Sequence, residues 1–212
     1  MTDRWSAHAE AYRESEAHRA GADLDLLVEW AAGARTALDV ATGGGHVARR
    51  LRDAGLKVVS CDSAPGMQPD VICRAEDLPF ADASFDVVCC RVAPHHFENV
   101  RAAVTEMARV SGDRVLVADN LFISNRVEEA ERLRDPTHVR CYSEQEWLGF
   151  FESAGLAVAA VERMEKEIEL EPWLERAGCT GDEAQRVREL LADRISGSRL
   201  TLDRIALKGV KA

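Results

Sequence analysis

The hydrophobic residues of the chain fall into short continuous runs separated by longer amphipathic segments. Four runs have the length and continuity of strands covered on both faces, and they span residues 36–41, 56–61, 85–90 and 114–118. Helical periodicity lies before, between and after them, at 23–30, 46–51, 100–110 and 126–134. This alternation of strand and helix predicts a doubly wound α/β fold with a mostly parallel sheet.

The C-terminal third departs from this alternation. Ser143 and Glu146 have the spacing of a capping box, which predicts the start of a helix. Strands are predicted at 156–168 and 199–208, and the segment between them, 171–194, is predicted to be a mostly helical insertion. Because only this insertion separates the two strands, we expect them to pair antiparallel and the insertion to form a small cap.

The sequence TALDVATGGGHVA, at residues 36–48, places three consecutive glycines between a predicted strand and a predicted helix. A strand, a glycine turn and a helix in this order are typical of a nucleotide-binding loop. Gly43-x-Gly45-x-x-Ala48 matches the dinucleotide fingerprint, and Asp62 follows at about the spacing of an acid that binds ribose. The loop alone therefore allows an NAD-dependent oxidoreductase.

The same loop also fits a second pattern, acid-x-small-x-Gly-x-Gly. Here Asp39 is the acid and Ala41 is the first small residue. This pattern resembles the first motif of the class I S-adenosylmethionine-dependent methyltransferases. Both patterns use Gly43 and Gly45, so the rest of the sequence must distinguish them.

The amino-acid composition limits which binding partners and which cellular compartment are expected. A formal charge of -10 over 212 residues argues against nucleic acid or an anionic membrane surface as the main partner. No apolar run approaches the roughly 20 residues of a membrane span, and the N-terminus has no signal-peptide core. The six cysteines form no CxxC pair and no zinc spacing. We therefore predict buried thiols, no metal site and a reducing cytoplasm.

Two further segments decide between the patterns of the glycine loop. Residues 76–80 (EDLPF) and 84–88 (SFDVV) resemble the third and fourth motifs of class I methyltransferases, in particular the UbiE-like and methyltransferase-11 type. The resemblance covers most of the chain, and no nicotinamide-side motif is found. It implies a seven-stranded Rossmann-like sheet with S-adenosylmethionine across the carboxyl ends of the first strands. We expect one domain, 1–212, with three parts: an N-terminal lid and helix (1–34), a cofactor-binding half (35–120) and a substrate-side half (121–212).

The resemblance implies a role for each matching residue of the cofactor site. Gly43 and Gly45, preceded by the small residue Ala41, would let the loop backbone pack against the methionine part of the cofactor. Asp39 would order this loop and meet the ammonium or sulfonium charge. Asp62 would accept two hydrogen bonds from the ribose hydroxyls.

The resemblance to the family is less complete in the lid and at the adenine end of the site. Tyr12 would close over the methionine moiety, and Ala75 and Glu76 would supply backbone groups to the adenine edge. Arg74, which has donors only, stands where relatives usually have Asp or Asn to accept from the adenine amino group. The segment SAPGMQPDV replaces a helix found in relatives, so we predict a short loop there, with Met67 against the adenine.

Methyl transfer from a sulfonium is an in-line displacement that depends mainly on positioning. His95 and His96 follow the fourth strand at the expected active-site mouth, and either could act as a general base. Arg91, at the same strand end, is assigned to the cofactor site, where it could orient an anionic group or pair with an acid. The substrate-side candidates are Asp119, Asn120, His138, Arg140 and Tyr142.

The sequence therefore predicts a cytoplasmic methyltransferase, monomeric or homodimeric, that uses S-adenosylmethionine, releases S-adenosylhomocysteine and acts on a small molecule. Whether oxygen, nitrogen or carbon is methylated does not follow, because the fold serves all three. Two alternatives stay open. One is a non-catalytic or regulatory protein whose cofactor binding is weakened by Arg74 and the missing helix. The other is an enzyme of this fold that uses the cofactor for different chemistry.

Overall fold

Eight strands form one mixed sheet in the computed structural model, which describes residues 4–211. The strands are Thr36–Val40 (β1), Lys57–Asp62 (β2), Val71–Ile72 (β3), Phe85–Arg91 (β4), Ser111–Asn120 (β5), Leu156–Glu169 (β6), Ile195–Ser196 (β7) and Arg199–Lys211 (β8). Their order is β3-β2-β1-β4-β5-β8-β6, and β7 pairs with β8. β1 to β5 are parallel, whereas β8 is antiparallel to both β5 and β6.

Ten α-helices lie within the described residues, most of them on the two faces of the sheet. They are Arg4–Ala7 (α1), Ala9–Glu14 (α2), Glu16–Arg19 (α3), Ala22–Trp30 (α4), His46–Asp53 (α5), Val100–Val110 (α6), Asn125–Arg134 (α7), Glu144–Ser153 (α8), Leu170–Arg176 (α9) and Gly181–Leu190 (α10). Single 3-10 turns occur at Pro65–Met67, Pro94–His96 and Ala192–Arg194. The predicted doubly wound α/β fold with antiparallel final strands is confirmed. The pattern did not predict β7, because two residues are too few to show a period.

The continuous apolar run of β4 follows from burial on both faces. Val87 and Cys89 belong to the core formed with α4 and α5, whereas Val88 and Cys90 belong to the core formed with α6 and α8. All four side chains are fully buried. The central strand therefore separates two apolar layers, and its carboxyl end reaches the edge where β1 and β2 also end.

The predicted helical insertion forms a small cap with its own core. α9 and α10 pack with α7 around Trp173, Leu174 and Val187, and β8 contributes Leu200. The capping box at the start of α8 is also confirmed, since Ser143 Oγ and the Glu146 carboxylate each bond the other residue's backbone. Within the described residues, no helix combines the length and apolar content needed to cross a membrane.

Candidate active site

The loop between β1 and α5 has a backbone that glycine favours. Gly43 and Gly45 have φ angles of 51° and 74°, in the left-handed region where a Cβ is disfavoured. Two residues that are not glycine, Ala41 and Val92, each have a φ of 53°. Val92 directly follows β4. Left-handed geometry is a marked outlier for a β-branched residue such as Val92, and such strain concentrates at functional sites. Val92 is not among the site residues predicted from the sequence.

Asp39, near the end of β1, is hydrogen-bonded to the glycine loop. Its carboxylate is buried, and Oδ2 accepts hydrogen bonds from Thr42 Oγ1 at 2.5 Å and from the Ala48 N–H at 3.0 Å. Burial raises the pKa of Asp39 to about 6, although the two hydrogen bonds oppose the rise. The carboxylate therefore joins the end of β1 to both the loop and the first turn of α5.

Asp62 joins the end of β2 to the same loop. Its Oδ2 accepts from the Gly43 N–H at 2.9 Å, and its Oδ1 accepts from the Ala64 N–H at 2.9 Å. Each carboxylate oxygen has two lone pairs, so each can accept more than one hydrogen bond. Both oxygens are oriented by backbone groups, which fixes the carboxylate in one position.

Two adjoining cavities lie above these strand ends. The first, the loop cavity, has a volume of about 150 Å³, and its walls include Tyr12, Asp39, Ala41, Gly43, Asp62, Met67, Arg91 and His96. The second, the edge cavity, has a volume of about 190 Å³, and its walls include Cys73, Arg74, Ala75, Glu76 and Glu98. Ala41, Asp62 and His96 line both. Most predicted cofactor residues are thus brought together; Gly45 instead caps the start of α5.

The segment that replaces the expected helix is short, as predicted. A 3-10 turn at Pro65–Met67 joins β2 to β3. Met67 is buried against Ala9, Trp5 and Tyr12, and it lines the loop cavity instead of the edge cavity beside Ala75 and Glu76. Met67 therefore lies beside the N-terminal segment, which covers the short turn. It does not lie beside Ala75 and Glu76, where the predicted contact with the adenine would place it.

Arg74 lies in the wall of the edge cavity and is paired there with two acids. Its Nη2 lies 2.9 Å from Glu98 Oε2 and 3.5 Å from Glu76 Oε1. Glu76 Oε1 also accepts from the Asn99 N–H at 3.3 Å. The positive charge of Arg74, which departs from the family pattern, is therefore balanced by two neighbouring acids. Ala75 and Glu76 still border the edge cavity.

The N-terminal residues Trp5 to His18 lie directly on the loop and on the 3-10 turn. Ser6 Oγ accepts from the Gly66 N–H at 2.7 Å, and Arg13 Nη1 donates to Gly66 O at 3.0 Å. His46 Nε2 lies 3.0 Å from Tyr12 O, to which it donates. An added Cβ would lie 2.6 Å from Tyr12 O at Gly44 and 2.5 Å from Ser6 Cα at Gly66. We call residues 5–18 the N-terminal cover.

Three histidines lie together beyond the end of β4. The rings of His95 and His96 have centroids 4.0 Å apart, and His138 is 5.4 Å from His95. His95 Nδ1 lies 2.6 Å from Asp119 Oδ1, and both side chains are buried. Burial lowers the pKa of His95 and raises the pKa of Asp119 to about 7. The buried pair therefore retains one titratable proton up to about pH 7.

His96 is the half-buried member of this cluster that reaches the cavities. Its Nδ1 lies 3.1 Å from Thr137 O, and a carbonyl can only accept, so Nδ1 carries the hydrogen. Nε2 is then the basic nitrogen, and it has no hydrogen bond to the described residues. Burial holds the pKa of His96 well below its usual value, which keeps the ring neutral near pH 7.

His96 also lines a third cavity, the arginine cavity. It has a volume of about 30 Å³ and is lined mainly by His95, His96, His18, Tyr12, Val92, Asn120, Arg134, Trp173, Arg176 and Arg204. Four of these residues, namely Tyr12, His18, Val92 and His96, also line the loop cavity. The two spaces are therefore neighbours.

Arg91 pairs with an acid, which was one of the two predicted possibilities. Arg91 Nε lies 2.7 Å from Asp23 Oδ2, and Arg204 Nη1 lies 2.6 Å from the same oxygen. Burial alone would raise the pKa of Asp23, but Arg204 and Arg91 outweigh it and hold the pKa below its usual range. Arg91 Nη1 donates to His18 O at 2.8 Å, and Nη2 is buried without a hydrogen-bond partner among the described residues.

The substrate-side candidates separate into two groups. Asn120 lines the arginine cavity, whereas Asp119 and His138 line none of the three cavities and lie behind His95. Arg140 is directed to Glu146 at 2.5 Å and is exposed, and Tyr142 is buried in the core against the α8 aromatics. The expectation that Arg140 and Tyr142 face the substrate is therefore not met, because their segment turns them toward α8.

Among the residues that the structure describes, one group of side chains has ligand atoms close enough to hold a metal. Glu128, His138 and Cys141 each place one ligand atom within 4.8 Å of the others. Glu128 Oε2 lies 3.2 Å from His138 Nε2, and Glu128 Oε1 accepts from the Cys141 N–H at 3.1 Å. These hydrogen bonds are sufficient to explain the cluster.

Similarity to known methyltransferases extends along most of the chain. Residues 38–114 match the Methyltransf_11 family, described as a methyltransferase domain. The uncharacterized methyltransferase YcgJ of Bacillus subtilis is 32% identical over 207 residues, which cover 86% of this chain and 82% of YcgJ. The crystal structure of YcgJ has a TM-score of 0.80 at 27% identity, covering 89% of this chain and 97% of that one.

Two further relatives agree with this match. A putative methyltransferase from Bacillus halodurans has a TM-score of 0.78 at 29% identity and covers 90% of this chain and 99% of that one. Demethylmenaquinone methyltransferase of Beutenbergia cavernae is 39% identical over an alignment of length 94 that covers 39% of this chain and 39% of that one. The glycine loop, the acid of β2 and the mixed sheet define a Rossmann-like methyltransferase fold. The chain belongs to the class I S-adenosylmethionine-dependent methyltransferases.

The close approach at Gly66 gives a first prediction. Gly66→Ala should loosen the N-terminal cover, because the added methyl overlaps the backbone of Ser6. We expect trypsin to cleave after Arg13 severalfold faster in this variant than in the wild type. Gly149→Ala is the control, since an added Cβ there meets nothing within 4 Å. Equal cleavage rates in all three proteins would show that Gly66 does not seat the cover.

The His95–Asp119 pair gives a second prediction. The native carboxyl keeps its proton up to about pH 7, whereas unfolded Asp loses it near pH 4, so this stabilising contribution falls as pH rises through that window. Asp119→Asn removes the titration and keeps a hydrogen-bonding side chain. The free energy of unfolding of the variant, relative to wild type, should therefore rise by on the order of 2 kcal/mol from pH 5 to pH 7.

Urea unfolding at pH 5, 6, 7 and 8 measures this difference. Asp193→Asn is the matched control, because Asp193 is on the surface and its pKa is lowered by Arg126, so it stays ionised throughout. The titration of His95 is common to both proteins and cancels in the comparison. A difference that does not change with pH would contradict the assignment of the proton to this pair.

Proposed function

We propose that the protein transfers a methyl group from S-adenosylmethionine to a small-molecule acceptor. The observation that carries the proposal is that the loop and edge cavities adjoin, since Ala41 and Asp62 line both. This space places a fixed carboxylate between a glycine loop and a strand-end pocket, as a nucleoside with a charged tail requires. The cofactor supplies a methyl group on a positively charged sulfur.

The residues that line the two cavities suit the parts of such a cofactor. Asp62 would accept from the ribose hydroxyls, since its carboxylate is already oriented by two backbone amides. The backbone of Ala75 and Glu76 borders the space for the adenine. Ala41 and Gly43, with the turn completed by Gly45, would hold the methionine part, with Asp39 fixing the loop.

Arg91 fits the charged end of the cofactor. Its Nη2 is a buried donor without a partner among the described residues, and the residue lines the loop cavity. An unpaired buried donor is costly, and a carboxylate would satisfy it. Tyr12 and Met67 would close the same end from the N-terminal cover. Arg91 would thus orient the cofactor while Asp23 orients Arg91.

His96 is the candidate general base. It lines both the loop cavity and the arginine cavity, and its Nε2 is the basic nitrogen because Nδ1 donates to Thr137 O. A base is needed only when the nucleophile must lose a proton, as for a hydroxyl. His95 would act as a positioning residue behind His96, since its Nδ1 is bonded to buried Asp119.

The small volume of the arginine cavity favours a small-molecule acceptor over a macromolecule. The cysteines are free thiols, five of them buried, which is compatible with a cytoplasmic enzyme. We expect a monomer or a homodimer.

Asp62→Ala should weaken binding of S-adenosylhomocysteine by about 10- to 100-fold, because hydrogen bonds to a charged group contribute roughly 1.5–3 kcal/mol. Calorimetric titration measures the Kd, after cofactor carried through purification has been removed. Asp53→Ala, an exposed acid at the end of α5, is the control and should bind like the wild type. Wild-type binding of NAD but not S-adenosylhomocysteine, or an unchanged Kd for Asp62→Ala, would overturn the proposed site.

His96→Asn should lower turnover by about 100-fold or more once an acceptor is found, with little change in the Kd for S-adenosylhomocysteine. The wild-type rate should stay level from pH 6 to pH 8. The reason is that burial lowers the pKa of His96, so the basic form is already present at pH 6. Formation of S-adenosylhomocysteine, followed by chromatography, measures both. A variant with wild-type turnover would exclude His96 as the base.

A further inference from the structure

We propose that the methyl acceptor carries a carboxylate, and that this group binds in the arginine cavity against Arg176 and Arg204. The inference rests on the proposed methyl transfer and names the class of acceptor. It starts from buried guanidinium nitrogens that the protein itself leaves without hydrogen-bond partners. Among the described residues, these include Nε of Arg176 and Nε of Arg204.

Arg176 is a cation without an acidic partner. No carboxylate of the described residues lies within 4 Å of it, and its Nη1 donates to Ser15 Oγ at 3.0 Å. Burial, together with the nearby charge of Arg134, lowers the pKa of Arg176 to about 10, so the side chain still carries its charge at pH 7. The residue is half-buried, with its guanidinium 5.9 Å from the centre of the Tyr12 ring. A partly desolvated cation without a carboxylate is costly, and an anionic ligand would offset that cost.

Arg204 shares its acid with two other cations. Its side chain is only 3% exposed, and its Nη1 bonds Asp23 Oδ2 at 2.6 Å. The same carboxylate binds Arg91, and Lys166 Nζ lies 3.9 Å from its other oxygen. One carboxylate therefore faces three cations. Arg204 lines the arginine cavity, which leaves its positive charge only partly balanced there.

Arg134 adds to the positive charge of this cavity. Its Nε donates to Trp173 O at 3.1 Å, and its guanidinium lies 4.4 Å from the centre of the Trp173 ring. Its acidic neighbour is Glu131, at 3.5 Å, and burial raises the pKa of Glu131. The described cavity lining includes three arginines and no carboxylate.

The size and position of the cavity limit what the anion can be. A volume of about 30 Å³ holds roughly two waters, which is the size of a carboxylate. Guanidinium and carboxylate match in geometry, so a carboxylate fits the exposed edge of an arginine. Because Val92 and His96 line this cavity and also the loop cavity, a molecule anchored here would present its other end to the methyl donor.

Asn120 indicates a second feature of the acceptor. Its Oδ1 is buried without a hydrogen-bond partner among the described residues, and the residue lines the same cavity. An amide oxygen only accepts, so the missing partner is a donor. A hydroxyl or amine on the acceptor would supply it. The geometry is therefore that of a small hydroxy or amino acid, with the carboxylate as anchor.

The cofactor also has a carboxylate, so binding of the acceptor's carboxylate must be distinguished from binding of the cofactor's carboxylate. Arg91 lines the loop cavity, whereas Arg134, Arg176 and Arg204 line only the arginine cavity of these two. Arg176 reaches the cofactor space only indirectly, through its bond to Ser15 of the N-terminal cover, so its loss should affect binding of S-adenosylhomocysteine less than loss of Arg91. An acceptor carboxylate should instead bind to protein that is already saturated with S-adenosylhomocysteine.

The test titrates two matched pairs of probes, acetate with acetamide and benzoate with benzamide, into the full chain. Each titration is followed by NMR, with and without saturating S-adenosylhomocysteine. We expect at least one acid of the two pairs to bind the saturated protein about tenfold or more tightly than its amide. Arg176→Gln should remove this preference, and Arg176→Lys should retain part of it. Arg186→Gln, an arginine on α10 that is paired with Glu129 on the surface, should retain all of it.

Equal binding of acid and amide in both pairs, or no binding by either acid, would overturn the inference. A preference that survives in Arg176→Gln would also overturn it, provided that the melting temperature shows the variant to be folded. A preference that disappears when S-adenosylhomocysteine is present would assign the anion site to the cofactor and overturn it as well. Failure of the wild type to bind S-adenosylhomocysteine is a separate result, which counts against the proposed function.

Discussion

The carboxylate of Asp39 is buried at the end of β1 and accepts hydrogen bonds from Thr42 and Ala48. A buried carboxylate is stable only when it is well bonded, so these contacts tie the loop to the strand and to α5. The loop then turns through left-handed positions at Gly43 and Gly45, and the Gly43 N–H meets Asp62. The ends of β1 and β2 are thereby joined into one rigid edge, from which the loop and edge cavities open.

A second buried acid organises the opposite side of the site. Asp23, in α4, bonds Arg91 at the end of β4 and Arg204 in β8. Arg91 in turn donates to His18 O, which holds the end of the N-terminal cover. One carboxylate thus connects the cover, the cofactor space and the arginine cavity. Breaking such a pair leaves an uncompensated buried charge, so the network links the stability of the fold to the shape of the site.

Local patterns were sufficient for much of the fold and for part of the site. Helix 100–110 was predicted with its observed bounds, and the glycine loop and Asp62 were placed at the carboxyl edge of the sheet. The Asp23–Arg204 bond was not predictable from such patterns, because 181 residues separate its partners. Likewise, a short loop was predicted around Gly66, but its close contact with Ser6 depends on tertiary packing. Arg140 was predicted on the substrate side but is paired with Glu146, because sequence position does not show which way a loop side chain turns.

The most direct test of the proposed cofactor site is a crystal structure of the protein with S-adenosylhomocysteine bound. The ribose hydroxyls should lie within hydrogen-bond distance of the Asp62 carboxylate, and the carboxylate of the ligand should bind Arg91. The adenine should lie beside Ala75 and Glu76, with the N-terminal cover over the methionine end. A ligand bound outside the loop and edge cavities, or one whose ribose does not contact Asp62, would contradict the central claim.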